Sequence, residues 1–444
     1  MASGDREYIA DKETLDSVKG DTGDILTDTA SLKSSASTII ETGYAVLDVL
    51  KGQRPKRYGY RVKVSESDTS GRVEYLYDAV GMTPAKMDYT TDTFNYGSWA
   101  DLWFIRDNYA CMVKSDGTED YKLDPNDYTK KLRDGSASDV SNQSYDGNVM
   151  SAIPETWVNR YQEGGYQYVV FCPVQYDESY KAYAHTRPDG TIAKFAYHAA
   201  FKGSLISSKL RSIAGVYPQS NTTAPNELTY AQANGSKWTI KTWALHELIT
   251  DLLILISKST NTRASFGQGN ISGYDSTSAT YGFKECGSLK TRGQFYGTSG
   301  TTDQVKVFHI EGFWGDRWDR LVGLLYINGV FKAKMTPEGS GYNFTGDGYT
   351  AIGTGITGAA SGSGWQRATE QTEYGNLPVA PLSGSDTTFE AVYVWFNNGI
   401  VAVALVGGSC SDGSKCGARY LVVNSPASSA RWYLGASLSL LSPS

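Results

Sequence analysis

Apolar side chains recur at every seventh position in the first fifty residues of the chain. The stronger of two apolar columns contains Val18, Ile25, Leu32, Ile39 and Val46. The weaker column contains Leu15, Thr22, Thr29, Ala36, Gly43 and Leu50. Such a heptad repeat is typical of a coiled coil, and its wide apolar stripe favours a trimer. We therefore predict a helical, trimeric stalk over residues 1–56. A helix packed on its own domain is the alternative, because three glycines within the repeat weaken any helix.

A different pattern begins at residue 58, where apolar or aromatic residues alternate with polar ones. The first two alternating runs contain Tyr58, Tyr60, Val62 and Val64, followed by Val73, Tyr75 and Tyr77. A period of two predicts strands. Turn sequences rich in Asp and Gly separate the predicted elements up to residue 149. We therefore predict a small β-rich spacer domain over residues 57–149.

Short aromatic-rich strands predominate from residue 150 to residue 444, the predicted third domain. One helix is predicted over residues 239–258, which carry enough large apolar residues to predict burial on all sides. Residues 389–396 and 400–406 predict two paired strands joined by an Asn-Asn-Gly turn. The fold class expected for the whole chain is therefore α+β and β-rich, with the helical part in the stalk.

The composition favours a binding surface over a compact metabolic enzyme. Among 444 residues there are 47 Gly, 31 Tyr and 10 Trp, whereas only 20% are charged. Tyr and Trp supply contact area with little conformational entropy to lose, and Gly permits irregular loops. The net charge of −6 argues against a nucleic-acid partner, which would require clustered Lys and Arg.

Five cysteines indicate a reducing compartment, because they are odd in number and mostly far apart. A disulfide between Cys410 and Cys416 is left open. The polar N-terminus does not resemble a signal peptide, and no apolar run approaches the length of a membrane span. We therefore expect synthesis in a host cytoplasm and no insertion into a membrane.

Motifs that would indicate catalysis or a cofactor lack their required context. Residues 353–358 match a dinucleotide-binding fingerprint, but a Gly/Ser-rich stretch follows where a helix is required. His246 and Glu247 begin a zinc-protease motif whose second histidine is replaced by Thr250. We predict no catalytic residue, metal or cofactor, and structural roles for all four histidines. Paired carboxylates need only be close in space, so a glycan-cleaving enzyme remains an alternative.

Two segments resemble known sequences. Residues 313–324 resemble the W-G-N-x-W-E-W-x-x-G signature of C-type-lectin domains of the formylglycine-generating-enzyme type, with Asp316 in place of Asn. Residues 407–438 resemble the variable region of proteins diversified by diversity-generating retroelements. Residues 203–215 and 58–81 are also similar to phage tail proteins that carry this lectin-like domain.

The resemblance implies a C-type-lectin-like domain over residues 150–444 with a diversifiable surface near its end. The expected ligand-binding residues are Ser411, Asp412, Lys415, Val422, Asn424, Ser429, Arg431 and Tyr433. The expected fold-signature residues are Trp314, Gly315, Trp318, Gly413, Gly417, Leu421, Trp432 and Gly435. Loops on a rigid scaffold are common sites of recognition, which independently favours the binding role.

These features together predict a phage tail-fibre adhesin that is not an enzyme. It would bind a host-cell surface receptor, either a glycan or a protein, and contact other tail proteins through its N-terminus. A homotrimer would strengthen attachment through avidity. The expected location is the virion. The alternatives are a structural decoration protein of the virion and a surface-glycan depolymerase.

Overall fold

The computed structural model describes residues 54–64, 73–338, 341–388 and 390–441. Residues Arg57–Ser444 form one compact unit. The heptad repeat on which the trimeric stalk was predicted lies outside the described residues.

Within the described residues the chain contains 27 strands and four α-helices. The strands are β1 (Tyr58–Lys63), β2 (Glu74–Tyr77), β3 (Lys86–Asp88), β4 (Thr93–Asn95), β5 (Tyr109–Lys114), β6 (Glu119–Asp124), β7 (Asp127–Lys131), β8 (Gly147–Pro154), β9 (Trp157–Glu163), β10 (Tyr166–Cys172), β11 (Phe195–Ala199), β12 (Ser204–Ile206), β13 (Lys209–Arg211), β14 (Trp238–Ile240), β15 (Lys306–Val307), β16 (Ile310–Glu311), β17 (Trp318–Ile327), β18 (Val330–Ala333), β19 (Thr350–Ile352), β20 (Ser361–Trp365), β21 (Ala368–Thr372), β22 (Gly375–Val379), β23 (Tyr393–Asn397), β24 (Val401–Gly407), β25 (Gly417–Val423), β26 (Leu434–Gly435) and β27 (Leu438–Leu440). The helices are α1 (Trp103–Arg106), α2 (Ala224–Gln232), α3 (Trp243–Ser257) and α4 (Thr262–Phe266).

The predicted α+β class is wrong for the described residues, which form a β-rich structure. Three of the four helices span nine residues or fewer, and only α3 is longer. The helical expectation rested mainly on the heptad repeat, which the described ranges do not include. The alternating aromatic runs and Gly-rich turns after residue 57 instead form strands, because alternation with a period of two exposes one face of a sheet and buries the other.

Two large sheets and one smaller sheet organise the unit. The eight-stranded sheet has the order β19-β18-β17-β24-β25-β23-β20, and β26 also pairs with β17. The seven-stranded sheet has the order β14-β27-β11-β8-β5-β6-β7, and β2-β1-β10-β9 form a third sheet. The boundary predicted at residue 149 falls inside β8, so strands on both sides of it belong to the same sheet.

The buried helix predicted at residues 239–258 is confirmed as α3, although it begins later, at Trp243. All its residues are buried, and the side chain of Thr242 accepts a hydrogen bond from the amide of Leu245 at its start. Residues Trp238–Ile240 instead form β14, which pairs with β27. The apolar pattern therefore predicted the helix but not its first residue, because the preceding strand β14 belongs to the same apolar run.

The strand pair predicted around the Asn-Asn-Gly turn is wrong in its pairing. Strand β25 lies between β23 and β24, parallel to β23 and antiparallel to β24. The side chain of Asn398 in this turn donates hydrogen bonds to the carbonyl oxygens of Ile356 and Ala359, at 3.0 and 2.8 Å. The turn is thus anchored to another segment, and it leads across β25 rather than into a hairpin.

A buried ionic network connects the sheets through α3. The carboxylate of Asp251 lies 2.7 Å from both Arg160 and Arg419 and accepts a hydrogen bond from Tyr60 at 3.0 Å. Arg419 on β25 also contacts Glu390 at 3.0 Å. Because removal of one partner leaves a buried charge unpaired, such a contact costs roughly 3–5 kcal/mol when broken. The network fixes β25, which leads to the C-terminal loops, against β1 and β9.

Candidate ligand-binding surface

The segment that resembles a lectin signature forms buried support beneath the C-terminal loops. The side chain of Trp314 is fully buried, and that of Trp318 is 4% exposed and lies 4.4 Å from the Tyr420 ring. Gly315 has a φ of +73°, and a Cβ at this position would lie 2.8 Å from the carbonyl oxygen of Asn270. Only glycine fits this left-handed position without strain. These three residues therefore hold the start of β17 against its neighbours.

Residues 409–416, the 409–416 loop, carry three of the predicted ligand-binding residues. Ser411 is exposed, whereas Asp412 and Lys415 are partly exposed. The Asp412 carboxylate accepts hydrogen bonds from the amide and hydroxyl of Ser409 at 2.8 and 2.6 Å. Asp412 thus closes the loop, which leaves Ser411 and Lys415 as its more available side chains.

Lys415 extends over an aromatic group on β23. Its Nζ lies 5.0 Å from the centre of the Tyr393 ring and 5.6 Å from that of Trp395. Trp395 is 36% exposed, and its Nε1 donates a hydrogen bond to the Tyr420 hydroxyl at 3.1 Å. Trp365 packs edge-on against Tyr393 at 5.3 Å. A cation beside exposed aromatic rings forms a polar and apolar surface suited to a ligand.

Trp432 was predicted as a frame residue, but the structure places it in a second, partly exposed aromatic group. Its ring stacks on that of Tyr274 at 4.5 Å, and Tyr281 and Phe283 lie within 5.2 and 6.0 Å. Tyr274 is 43% exposed, and its amide donates a hydrogen bond to the Cys410 carbonyl oxygen at 3.1 Å. The second group therefore adjoins the 409–416 loop. We call this loop and the two aromatic groups the C-terminal surface.

Two more predicted ligand-binding residues flank Trp432. Arg431 is exposed, and its carbonyl oxygen accepts a hydrogen bond from the amide of Asn221 at 3.0 Å. Tyr433 is partly buried against Trp432, with ring centres 5.3 Å apart, and its carbonyl oxygen accepts a hydrogen bond from the Trp318 amide. The backbone here is fixed, while the Arg431 side chain faces solvent.

Three of the predicted ligand-binding residues lie elsewhere. Val422 is only 7% exposed and packs in a core cluster with Trp318. Asn424 follows the end of β25 that is opposite the 409–416 loop, roughly 20 Å away along a seven-residue strand. The Ser429 carbonyl oxygen accepts a hydrogen bond from Arg320. The sequence motif thus spans both ends of β25, and only one end carries the aromatic groups.

The remaining fold-signature residues lie around β25 and β26. Gly417 and Gly435 are buried, and a Cβ at either position would lie 2.5 Å from Val392 or Arg317, respectively. Leu421 is 4% exposed in the core. Gly413 has a φ of +61° with open space around it, so it serves the turn rather than a close approach. All four support backbone geometry and present little side chain to solvent.

The cysteine pair left open by the sequence is not bonded in this structure. Cys410 and Cys416 are both free and buried. The Cys410 thiol donates a hydrogen bond to the carbonyl oxygen of Tyr281 at 3.4 Å, and burial raises its pKa to about 12. These thiols therefore pack within the base of the loop.

The titratable groups beneath this surface are enclosed. No group of three or more His, Cys, Asp or Glu able to hold a metal occurs among the described residues. The buried ring of His246 hydrogen-bonds the Ala418 carbonyl oxygen at 3.0 Å, and desolvation holds its pKa well below the usual range. Glu247, Asp251 and Glu390 lie together around Arg419, but each is at most 1% exposed. A glycosidic bond has no access to these carboxylates.

Residues 353–358, which match the dinucleotide-binding fingerprint, lack the structure of a phosphate-binding site. Strand β20 follows it, whereas a helix N-terminus is needed to supply free amides to a phosphate. Its Gly355 approaches the Gly329 carbonyl oxygen so closely that a Cβ would collide with it. The glycines here serve close backbone packing.

Comparison with known proteins yields weak structural similarity alone. The chain matches no protein-family model, and no curated protein matches it. The solved structure of a protein named Major Tropism Determinant U1 Variant aligns with 76% of this chain and 73% of that chain, with 12% identity and a TM-score of 0.27.

The helices also bear on membrane association. None of those among the described residues combines the length and apolar character needed to cross a bilayer.

Proposed function

We propose that this protein is an adhesin whose C-terminal surface binds a receptor on a host cell. The observation that carries the proposal is the convergence of two aromatic groups on the 409–416 loop: Lys415 over Tyr393 and Trp395 on one side, and Trp432 stacked on Tyr274 on the other. Aromatic rings and a cation at the centre of a surface are typical of binding hot spots.

The construction of the surface supports recognition rather than catalysis. Exposed side chains such as Ser411 and Arg431 stand on backbone whose carbonyl and amide groups are tied to buried segments. Such side chains can change without loss of the frame, as a diversifiable surface requires. The carboxylates grouped around Arg419 are sealed in the core, so no accessible acid pair favours glycan cleavage at this site.

The resemblance of the C-terminal motifs to diversified phage tail proteins leads us to propose that this protein is part of a phage virion. In this proposal the C-terminal surface is a lectin-like, diversifiable site that contacts a glycan or a protein on the host cell. Contact with other tail proteins through the N-terminus, and assembly as a homotrimer, remain predictions from the sequence.

Binding of the purified full chain to intact candidate host cells tests the proposal. A variant combining Lys415→Ala, Arg431→Ala and Trp432→Ala removes the exposed charges and one ring while leaving β17 and β25 intact. The matched control is Asn424→Ala, a predicted residue that follows the end of β25 opposite the 409–416 loop. We expect the first variant to lose attachment and the control to retain it.

Circular dichroism and thermal unfolding establish that both variants are folded. Equal attachment by the wild type and the first variant would place adhesion elsewhere, and failure of the wild type to attach to any host of its phage would favour a structural role in the virion. Release of saccharide products during incubation would favour a depolymerase.

A further inference from the structure

A groove of about 960 Å³ lies on the seven-stranded sheet and shares no lining residue with the C-terminal surface. It forms where β8 ends at Pro154, between the first residues of β5 and β11 on either side. Helix α1 and the turn between β6 and β7 contribute further walls. The volume is that of a site for a small ligand or a short oligomer.

Aromatic side chains form one part of the groove. The rings of Tyr109 and Phe195 pack edge to face with centres 5.2 Å apart, and both are partly exposed. Trp103 and Tyr96 line the same groove and are also partly exposed. The C–H faces of sugar rings pack on such aromatic surfaces. The Tyr109 hydroxyl donates a hydrogen bond to Glu119 and the Trp103 Nε1 donates to the Glu155 carbonyl oxygen, so these two rings offer apolar contact.

Two lysines stand over these rings. The Nζ of Lys122 lies 3.6 Å from the centre of the Tyr109 ring, and that of Lys194 lies 6.0 Å from the Phe195 ring. Two carboxylates, Asp107 and Glu155, also line the groove. Asp107 pairs with Arg106 at 2.7 Å, and Glu155 accepts a hydrogen bond from the Trp157 Nε1 at 2.6 Å. The cations of the lining, Arg106, Lys122 and Lys194, therefore outnumber its carboxylates by one, so the groove carries a net positive charge on a chain whose net charge is −6.

The floor of the groove is a pair of buried amides. Gln294 is 8% exposed and Asn108 is 5% exposed. The Nε2 of Gln294 donates to the Asn108 Oδ1 at 2.8 Å and to the Ile105 carbonyl oxygen at 2.9 Å. Its Oε1 accepts no hydrogen bond from the described residues, so a carbonyl acceptor is available at the floor. A hydroxyl group of a bound ligand would satisfy it.

A second depression of about 530 Å³ adjoins the groove and shares Lys122 and Leu132 with it. Lys131 lies in this depression with its Nζ 4.4 Å from the centre of the Tyr121 ring. Three carboxylates, Glu119, Asp120 and Asp139, line the same depression and match its three cations, Lys122, Lys131 and Arg133. The second depression therefore adds room for an extended ligand but no net positive charge.

We propose that this groove is a second binding site, for an acidic oligosaccharide. The sugar rings pack on Tyr109 and Phe195, the carboxylate or sulfate groups lie near Lys122 and Lys194, and a hydroxyl donates to Gln294. The site is separate from the C-terminal surface and does not depend on the function proposed for it.

The test uses the full chain and an array of uronate-, sialate- and sulfate-bearing oligosaccharides with their neutral counterparts, followed by titration calorimetry of the bound acidic oligosaccharide. The Lys122→Gln/Lys194→Gln variant removes both charges and keeps the aliphatic stems. Its matched control is Lys86→Gln/Lys332→Gln, which lies outside both depressions. A second variant, Leu132→Glu, adds a negative charge at a position that is 51% exposed and thus tolerant of substitution.

We expect acidic oligosaccharides to bind in preference to neutral ones, with affinity that falls at high salt. The double lysine variant and Leu132→Glu should each weaken binding about tenfold or more, while the control and the C-terminal triple variant bind as the wild type does. The proposal is overturned if no acidic oligosaccharide binds, if neutral ones bind equally, or if affinity is unchanged in both groove variants with intact thermal unfolding. Loss of binding in the C-terminal variant alone would assign the saccharide to the other surface.

Discussion

The C-terminal surface and the groove use the same kinds of side chain but are built differently. In the C-terminal surface, Lys415 and Trp432 lie outside the regular strands, whereas Tyr393 and Trp395 belong to β23. In the groove, Tyr109 and Lys122 belong to β5 and β6 and are constrained by strand pairing. A loop can change its side chains while its backbone contacts persist, whereas a side chain on a paired strand also packs against its cross-strand neighbours. The loop positions of the first surface are thus suited to variation, and the groove is suited to a constant ligand.

The largest expected effect comes from breaking the buried ionic network around Asp251, which fixes β25 beneath the C-terminal surface. Asp251→Ala removes the carboxylate that contacts Arg160 and Arg419 and should lower the free energy of unfolding by roughly 3–5 kcal/mol, since the buried Arg160 loses its partner and Arg419 keeps only Glu390. Urea unfolding measures this change. The control is Glu74→Ala, which breaks an exposed pair with Arg61 and should cost at most about 1 kcal/mol. Similar small losses in both variants would show that the network does not support the fold.

The stability of the structure beneath the C-terminal surface should depend on pH through Glu227. Burial raises the pKa of Glu227 to about 7, although the Arg320 guanidinium lies 2.7 Å away and opposes this shift. Arg320 also donates a hydrogen bond to the carbonyl oxygen of Ser429, three residues before Trp432. Between the unfolded pKa of about 4.5 and the folded value near 7, the folded state binds more protons than the unfolded state. The contribution of Glu227 to the free energy of unfolding should therefore be largest at the acidic end and fall by about 3 kcal/mol across this window.

Urea unfolding of the wild type and Glu227→Gln at intervals from pH 4.5 to 8 checks this expectation. The glutamine cannot ionise, so the difference in unfolding free energy between the two proteins should follow the titration of Glu227. A difference that stays constant over the whole range would show that Glu227 has an ordinary pKa.

Trp432→Ala is expected to act on one surface only. The ring stacks on Tyr274 and is partly exposed, so its loss should reduce attachment to host cells by about tenfold or more while the global fold persists. Binding of acidic oligosaccharides in the groove should not change. Flow cytometry of labelled protein on host cells, together with calorimetry of the bound saccharide, measures the two effects separately. Equal loss at both sites would show that the two surfaces are coupled.

Local patterns predicted the parts of this fold that local chemistry determines. The apolar run of α3 indicated a buried helix, and the segment with Trp314 and Trp318 indicated a buried frame. The pairing of strands was not predictable, because the turn at Asn398 shows that the chain reverses but not that β25 enters between β23 and β24. The contact between Tyr274 and Trp432 joins segments far apart in the chain, and only the Gly- and Tyr-rich sequence around Tyr274 hinted at an exposed aromatic loop. The groove draws on several separate segments and left no local signal.

The smallest expected effect is the most direct test of where the C-terminal surface ends. Asn424 lies within the segment that resembles a variable region, but it follows the end of β25 opposite the 409–416 loop. Among the described residues, its Oδ1 accepts a hydrogen bond only from the neighbouring Ser425, at 3.1 Å. Asn424→Ala should therefore change the free energy of unfolding by at most about 0.5 kcal/mol and leave attachment unchanged. Cell-binding titrations beside Lys415→Ala check this, because Lys415 lies at the other end of the same strand. A loss of attachment in Asn424→Ala as large as that in Lys415→Ala would mean that the receptor contacts both ends of β25, so that the aromatic groups alone do not define the site.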